Sequence, residues 1–251
     1  MSLLMVNKVT REFSFPQVTA LQGVSFPVDA GQRIAIVGPS GCGKSTLLRI
    51  VAGLDAPTTG NVVWHTDNPN PAALMPQHDA LFEFLTVVDN IALPEWITGV
   101  PTAKRRAAAL ELLREFELDD FAYAHPRQLS GGMRSRVAFL RTMSAHSALL
   151  ALDEPFGALD ALTRIDMQQW LLRAAITHQL TILLVTHDVD EAITIADRVI
   201  VLSARPGKVL ADVPVAIADR SNPNLREDPA YLAAYTKVRA TLNGRKDSSW
   251  N

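Results

Sequence analysis

A glycine-rich segment, GPSGCGKST at residues 38–46, narrows the possible folds of this chain more than any other feature. A nearly continuous apolar run, RIAIV at residues 33–37, precedes it, and a helical pattern at residues 45–51 follows. The pattern G-x-x-x-x-G-K-[ST] between a strand and a helix is typical of a phosphate-binding loop. Its glycines allow backbone N–H groups to surround anionic oxygens that larger side chains would block. The segment therefore predicts an α/β fold with a polyphosphate site.

Each residue of this loop is a candidate for nucleotide contact. We expect Lys44 to reach the β- and γ-phosphates of ATP and Ser45 to offer its hydroxyl to Mg²⁺. Cys42 is the only cysteine, and we predict that it is a tolerated small residue whose modification MgATP would slow. The complete candidate set is Gly38, Pro39, Ser40, Gly41, Cys42, Gly43, Lys44, Ser45 and Thr46.

Two adjacent carboxylates follow another apolar run, in LLALDEP at residues 149–155. This order predicts that Asp153 lies at the carboxyl edge of a strand, beside the phosphate loop, where it would hold Mg²⁺. Neighbouring side chains on an extended chain diverge, so Glu154 would instead orient or deprotonate the attacking water. His187 follows the next apolar run, TILLVT, and we expect it at the same edge, touching the γ-phosphate.

The order of the predicted elements gives an α/β architecture. Short β-rich runs occupy the first third, a helical region extends from about Val87 to Ala148, and strands then alternate with helices. From Ser203 the chain is polar and rich in turn-forming residues, and one last helix is predicted at residues 229–242. The core is thus expected to be a parallel sheet with a helical insertion.

Composition limits the classes of partner. A formal net charge of −2 and a pI near 6.3 give no indication of a strong attraction to nucleic acid or anionic lipid. The opening residues do not resemble a secretory signal, and no apolar run approaches the roughly 18 residues that span a bilayer. With one cysteine, the sequence favours a protein of a reducing compartment that reaches any membrane through partners.

A second glycine motif, LSGGM at residues 129–133, lies upstream of LLALDEP, and with it the chain resembles the nucleotide-binding subunits of ABC transporters. The resemblance implies that Ser130, Gly131 and Gly132 grip the γ-phosphate bound to a second copy, giving an ATP-dependent homodimer. Met133 stands where many members have glutamine. The resemblance also implies a Q-loop glutamine that serves catalysis and Mg²⁺, a D-loop aspartate that contacts nucleotide, a switch histidine and an aromatic ring on adenine. In this sequence the four residues are, in that order, Gln77, Asp160, His187 and Phe15, and Phe13 is the alternative to Phe15.

The same resemblance implies a single ABC ATPase domain with the P-loop NTPase fold. Its RecA-like parallel core and N-terminal antiparallel β subdomain would comprise residues 1–86 and 149–210. An inserted α-helical subdomain with the signature loop would comprise residues 87–148, and a tail with one helix would comprise residues 211–251.

Several segments, among them LTVVDNIALP and SARPGKVLADVPV, are similar to the ATPases of nitrate, sulfonate and taurine importers. This similarity implies two integral-membrane permease subunits as partners and, indirectly, a periplasmic or lipid-anchored solute-binding protein. It also implies a peripheral location on the cytoplasmic face of the inner membrane, with no nucleic acid bound. The alternative is a soluble ABC ATPase acting on nucleic acid, although such proteins usually carry paired cassettes, long coiled coils or basic extensions. A non-catalytic sensing module would be expected to lack Glu154.

Overall fold

The structure is a computed structural model that describes residues 2–220, 222 and 224–244. The remaining residues of the predicted tail, 221, 223 and 245–251, lie outside the described part. Within the described part no helix combines the length and the apolar character needed to cross a membrane.

The described chain forms strands in two sheets. In chain order they are β1 Ser2–Ser14, β2 Gln17–Asp29, β3 Arg33–Val37, β4 Thr59–Trp64, β5 Ala72–Met75, β6 Leu149–Asp153, β7 Ile182–Thr186, β8 Arg198–Leu202 and β9 Val209–Pro214. The α-helices are α1 Lys44–Val51, α2 Val87–Ile91, α3 Leu93–Ile97, α4 Thr102–Glu115, α5 Gly131–Met143, α6 Ala161–Thr177, α7 Val189–Ile195 and α8 Pro229–Asn243.

The central sheet has six strands in the order β5-β6-β7-β3-β8-β9. The first five are parallel, and β9 closes the edge antiparallel to β8. Strands β3, β6, β7 and β8 are almost fully buried along their length because each face of the sheet is covered by apolar side chains of other elements. The carboxyl ends of β5, β6 and β7 consequently meet at one edge.

A smaller antiparallel sheet, β2-β1-β4, packs against this core. Leu4, Val6 and Val24 are fully buried and share one apolar cluster with Leu47 and Leu48 of α1. The small sheet is therefore attached to the helix that follows the glycine loop, and its β1–β2 end is held near that loop.

Helices α2 to α5 form the helical insertion between β5 and β6. A second apolar cluster, distinct from the one under the small sheet, contains Phe139 and Leu140 of α5, Leu113 of α4 and Trp170 of α6. The insertion therefore packs on the core instead of standing apart from it.

The predicted fold class is confirmed, while the exact subdomain boundaries stay predictions. Two strands were not predicted. The sequence from Ser203 onward indicated only turns, yet β9 lies there, because an edge strand needs pairing on one side only and tolerates a polar, half-exposed sequence. Strand β5 has just four residues, too few for a clear alternation of burial.

Candidate functional site

The glycine loop between β3 and α1 curls around the side chain of Lys44. Its Nζ atom is buried and donates hydrogen bonds to the carbonyl oxygens of Gly38 (2.9 Å) and Pro39 (3.2 Å). Gly43 has a φ of 101°, and a Cβ atom there would lie 2.9 Å from the carbonyl oxygen of Ala20. Only glycine fits here, because position 43 has a left-handed backbone conformation and lies close to the backbone of Ala20.

A cavity of about 980 Å³ opens beside the loop. This volume lies at the upper end of the range usual for sites that hold small ligands or cofactors. One wall is mostly apolar and comes from the small sheet: Phe13, Phe15, Pro16, Val18 and Ala20. The opposite wall is polar: Ser40, Gly41, Gly43, Lys44, Ser45, Thr46, Gln77, Glu154, His187 and Arg205. The cavity thus offers an apolar end to a ring and a cationic, N–H-rich end to phosphates.

The side chain of Cys42 points away from this cavity. The residue is fully buried in the apolar cluster beneath the loop, and this burial raises the pKa of its thiol above the ordinary value. Only its backbone is available to a phosphate. Burial and the raised pKa of the thiol should make its reaction with reagents slow even without nucleotide, and further slowing by MgATP stays a prediction.

Ser45 and Asp153 form a pair of oxygen donors at the carboxyl edge of β6. The Ser45 hydroxyl donates to Oδ1 of Asp153 at 3.0 Å. Burial raises the pKa of the Asp153 carboxyl; the charge of Glu154 adds to this, and the Ser45 hydrogen bond opposes it. A hydroxyl and a carboxylate so close together fit Mg²⁺, which prefers oxygen ligands and usually binds one or two protein oxygens plus substrate phosphates.

Three side chains that were predicted separately come together at this edge. Oε2 of Glu154 lies 3.3 Å from Nε2 of Gln77 and 3.3 Å from Nδ1 of His187. Each residue follows the end of a parallel strand, β5, β6 or β7 respectively. The amide and the imidazole can therefore hold one carboxylate oxygen in place. No residue in the described part of the chain bonds the other oxygen, which can accept a hydrogen bond from a water molecule.

Local backbone geometry aims Glu154 and His187. Glu154 has a φ of 45°, which is unusual for a side chain with a Cβ atom, and its N–H donates to the carbonyl oxygen of Val185. At the end of β7 the Thr186 hydroxyl accepts from the N–H of Asp188, whose carboxylate caps α7. His187 is thus fixed between a strand end and a helix start. A positive φ at a residue other than glycine, as at Glu154, is commonly found at functional sites.

The aromatic candidates both line the cavity but differ in environment. Phe15 is 98% exposed at the turn between β1 and β2. Phe13 is partly covered, and the guanidinium of Arg11 lies 4.8 Å from its ring centroid. Phe15 is therefore the more accessible of the two rings, and its contact with adenine stays a prediction.

The signature motif lies on another surface. Among the described residues of LSGGM, none lines the cavity. Ser130 is exposed and caps α5, its hydroxyl accepting from the N–H of Met133 at 3.3 Å. Gly131 and Gly132 begin that helix, where N–H groups lack intrahelical partners. Asp160 caps α6 nearby, accepting from the N–H and the hydroxyl of Thr163. The start of α5 is thus a second glycine-bearing loop, separate from the cavity, and its contact with a phosphate stays a prediction.

Arg205 is a cavity residue that the sequence did not indicate. It lies in the turn between β8 and β9, about 160 positions from the glycine loop, and no motif or spacing relates the two segments. Val18 and Ala20 were likewise missed, because small apolar residues on a strand carry no distinguishing pattern.

Comparison with known proteins identifies the family to which the chain is similar. Residues 21–157 match a model of the ABC transporter family. The chain is 45% identical to an aliphatic sulfonates import ATP-binding protein, SsuB 1 of Mesorhizobium japonicum, over 82% of this chain and 78% of the relative. It is 37% identical to an uncharacterized ABC transporter ATP-binding protein, YtlC of Bacillus subtilis, over the full length of both.

Solved structures give the same result. The dimeric structure of MJ0796, a bacterial ABC transporter cassette, superimposes with a TM-score of 0.73 at 31% identity, over 84% of this chain and 98% of that chain. A post-hydrolysis dimer of the same cassette, bound to ADP and Pi, gives a TM-score of 0.71 at 30% identity, with the same coverage.

Proposed function

The chain belongs to the ABC transporter family, and we propose that it is the ATP-hydrolysing subunit of an importer for a small anionic solute, with aliphatic sulfonates as the leading class. The observation that carries the catalytic part is the convergence of Gln77, Glu154 and His187 beside Lys44 in one cavity. The importer part is supported by the relatives named for aliphatic sulfonate import. Those names also favour an importer over a nucleic-acid ATPase.

The phosphate end of the site would be held by the glycine loop. Backbone N–H groups from Gly41 to Thr46 and the start of α1 would surround the β-phosphate, and Lys44 would exchange its carbonyl partners for phosphate oxygens. Mg²⁺, held by Ser45, Asp153 and phosphate oxygens, with Gln77 close by, would neutralise charge that develops on the transferring group. Phe15 would stack on the adenine.

Glu154 would orient and deprotonate the attacking water, which adds to the γ-phosphorus as the bond to the ADP oxygen breaks. Gln77 and His187 each approach its Oε2 atom, so the carboxylate presents its remaining oxygen to the water. His187 is mostly exposed on the cavity side and is free to contact the γ-phosphate as well.

A second copy would complete the site. Ser130, Gly131 and Gly132 of one chain would grip the γ-phosphate held by the glycine loop of the other, with Asp160 near the junction. The similarity to dimeric cassettes supports this arrangement. Hydrolysis would remove the shared γ-phosphate and release the two copies.

The segment after Gln77 is suited to transmit this cycle to a permease. Buried Asn90 hydrogen-bonds to the backbone of Phe82 through both its amide oxygen and its amide nitrogen. The rings of Phe82, which is partly exposed, and Phe84, which is mostly exposed, lie 5.5 Å apart. Arg134 and Arg141 of α5 bind Asp79 in the same segment. We propose that each of two permease chains docks on this exposed aromatic pair of one copy. A separate solute-binding protein would deliver the solute.

Two measurements test the proposal. MgATP hydrolysis by the purified chain should be lost in Lys44→Ala and retained in Lys237→Ala, an exposed lysine on α8. Deletion of the gene should abolish uptake of a labelled aliphatic sulfonate and leave uptake of an unrelated amino acid intact. Hydrolysis that survives Lys44→Ala would contradict the enzymatic part, and unchanged sulfonate uptake would contradict the solute.

A further inference from the structure

The turn between β8 and β9, residues 203–208, forms part of the wall of the nucleotide cavity. Its geometry is fixed by Ser203, a buried residue whose hydroxyl donates to the carbonyl oxygens of Ala204 (2.7 Å) and Pro206 (2.8 Å) and accepts from the N–H of Lys208. This hydrogen bonding makes the turn a rigid support for the residue at its tip, Arg205.

The same turn is packed directly on the glycine loop. A Cβ atom at Gly207 would lie 2.2 Å from the carbonyl oxygen of Cys42, so only glycine permits this contact. The N–H of Gly207 donates to Ala20, and the carbonyl oxygen of Gly207 accepts from Gln22 on strand β2. The turn is therefore joined both to the phosphate end of the cavity and to its apolar wall.

Arg205 extends from this turn across the outer face of the loop. Its Nε atom donates to the carbonyl oxygen of Gly41 at 3.3 Å, and its Nη2 atom lies 3.2 Å from the position a Cβ atom of Gly41 would take. The side chain is exposed and lines the cavity. Within the described part of the chain it forms no ion pair, so its terminal N–H donors face the cavity without a carboxylate to neutralise them.

We propose that Arg205 is a further nucleotide-binding residue, which donates from its guanidinium to the phosphate chain while its Nε bond to Gly41 keeps it in place. This inference rests on the proposed function of the cavity. A guanidinium suits the task because its planar fork can reach two phosphate oxygens, and its charge does not depend on pH. Lys44 would hold the phosphates from inside the loop, and Arg205 would hold them from outside.

Binding of ADP by single copies tests this role, because ADP lacks the γ-phosphate that would join two copies. Arg205→Gln keeps an N–H donor for Gly41 and removes the charge, whereas Arg205→Lys keeps the charge. Lys208→Gln is the matched control, since Lys208 is an exposed cation of the same turn that does not line the cavity. Dissociation constants for ADP and for adenosine would be measured by calorimetry at low and at physiological ionic strength.

We expect Arg205→Gln to weaken ADP binding about 10- to 150-fold, the range of a charge-assisted hydrogen bond, and to reduce its salt dependence. Arg205→Lys should weaken ADP binding less than Arg205→Gln, while adenosine binding and Lys208→Gln should match the wild type. The proposal is overturned if Arg205→Gln binds ADP normally, if lysine is no better than glutamine, or if Lys208→Gln has the same effect. Failure of the wild-type chain to bind ADP would instead refute the nucleotide site as a whole.

Discussion

Gly132 of the signature loop lies directly against Thr163 of α6: a Cβ atom at Gly132 would come within 2.7 Å of the Thr163 Cγ2 atom. Thr163 in turn donates through its N–H and its hydroxyl to Asp160, the residue that caps α6. The two loops that would face a second copy are therefore packed on each other within one chain.

This contact predicts that alanine at position 132 destabilises the fold and that alanine at the neighbouring position 131 does not. Gly132→Ala should lower the free energy of unfolding by roughly 1–3 kcal/mol, because Thr163 or the start of α5 must move. Gly131→Ala should be neutral or stabilising, since its Cβ atom would meet Leu159 at an ordinary 3.6 Å and alanine favours the helix. Urea unfolding of both variants measures the difference. Equal stabilities would show that Gly132 and Thr163 are not in close contact.

A mixture of two inactive variants should recover activity. Lys44→Ala removes the glycine-loop half-site and Ser130→Ala removes the signature half-site, so each homodimer has two defective sites. A mixed dimer, however, pairs the intact glycine loop of one chain with the intact signature motif of the other. MgATP hydrolysis of the mixture should approach roughly a quarter of the wild-type rate if copies exchange freely and the sites act independently. A mixture no more active than its components argues against a site shared between copies.

Replacing the proposed base should separate binding from hydrolysis. Glu154→Gln keeps the shape of the side chain but cannot accept the proton of water, so turnover should fall at least about 100-fold. ATP binding should persist, and the variant should accumulate as a dimer in MgATP. Phosphate release and light scattering provide the two readouts, with Glu111→Gln on the exposed face of α4 as control. A monomeric Glu154→Gln variant in saturating MgATP would contradict the sandwich.

Stability should depend on pH through Glu191, a buried residue of α7. Burial, and secondarily the charge of Asp188, raises the pKa of its carboxyl to about 8 from an ordinary value of 4.5. The folded state therefore binds more protons than the unfolded state between these two pH values, and stability falls as pH rises through this window and levels off above it. Glu191→Gln, which stays neutral, should show a flatter profile. Thermal unfolding from pH 5 to 9 measures this, and parallel profiles would rule the effect out.

Much of the site was predictable because its residues occur in short contiguous motifs. Lys44 lies in a strand–loop–helix context, and Asp153 and His187 each follow an apolar run. These observations are enough to place the three side chains at one sheet edge. Their spacing is dictated by the parallel pairing of strands, which follows from the alternation of apolar runs and helices.

The features that were not predictable depend on contacts between distant segments. Arg205 reaches Gly41 across about 160 residues through a turn whose sequence indicates only a change of direction. The direction of the Cys42 side chain follows from packing on the small sheet, which a loop motif does not specify. The choice between Phe13 and Phe15 likewise depends on which ring its neighbours cover.

The site also limits where the gene can gain or lose codons, because Gln77, Glu154 and His187 lie at the ends of adjacent parallel strands. Asp153 is paired with Val185 in the sheet, so one codon gained or lost within β6 or β7 would displace one side chain by about 3.3 Å relative to the other. Codons added to turns on the far side of the insertion leave these pairings intact. Length variation among descendants of this gene should therefore accumulate in such turns and be absent from the three strands.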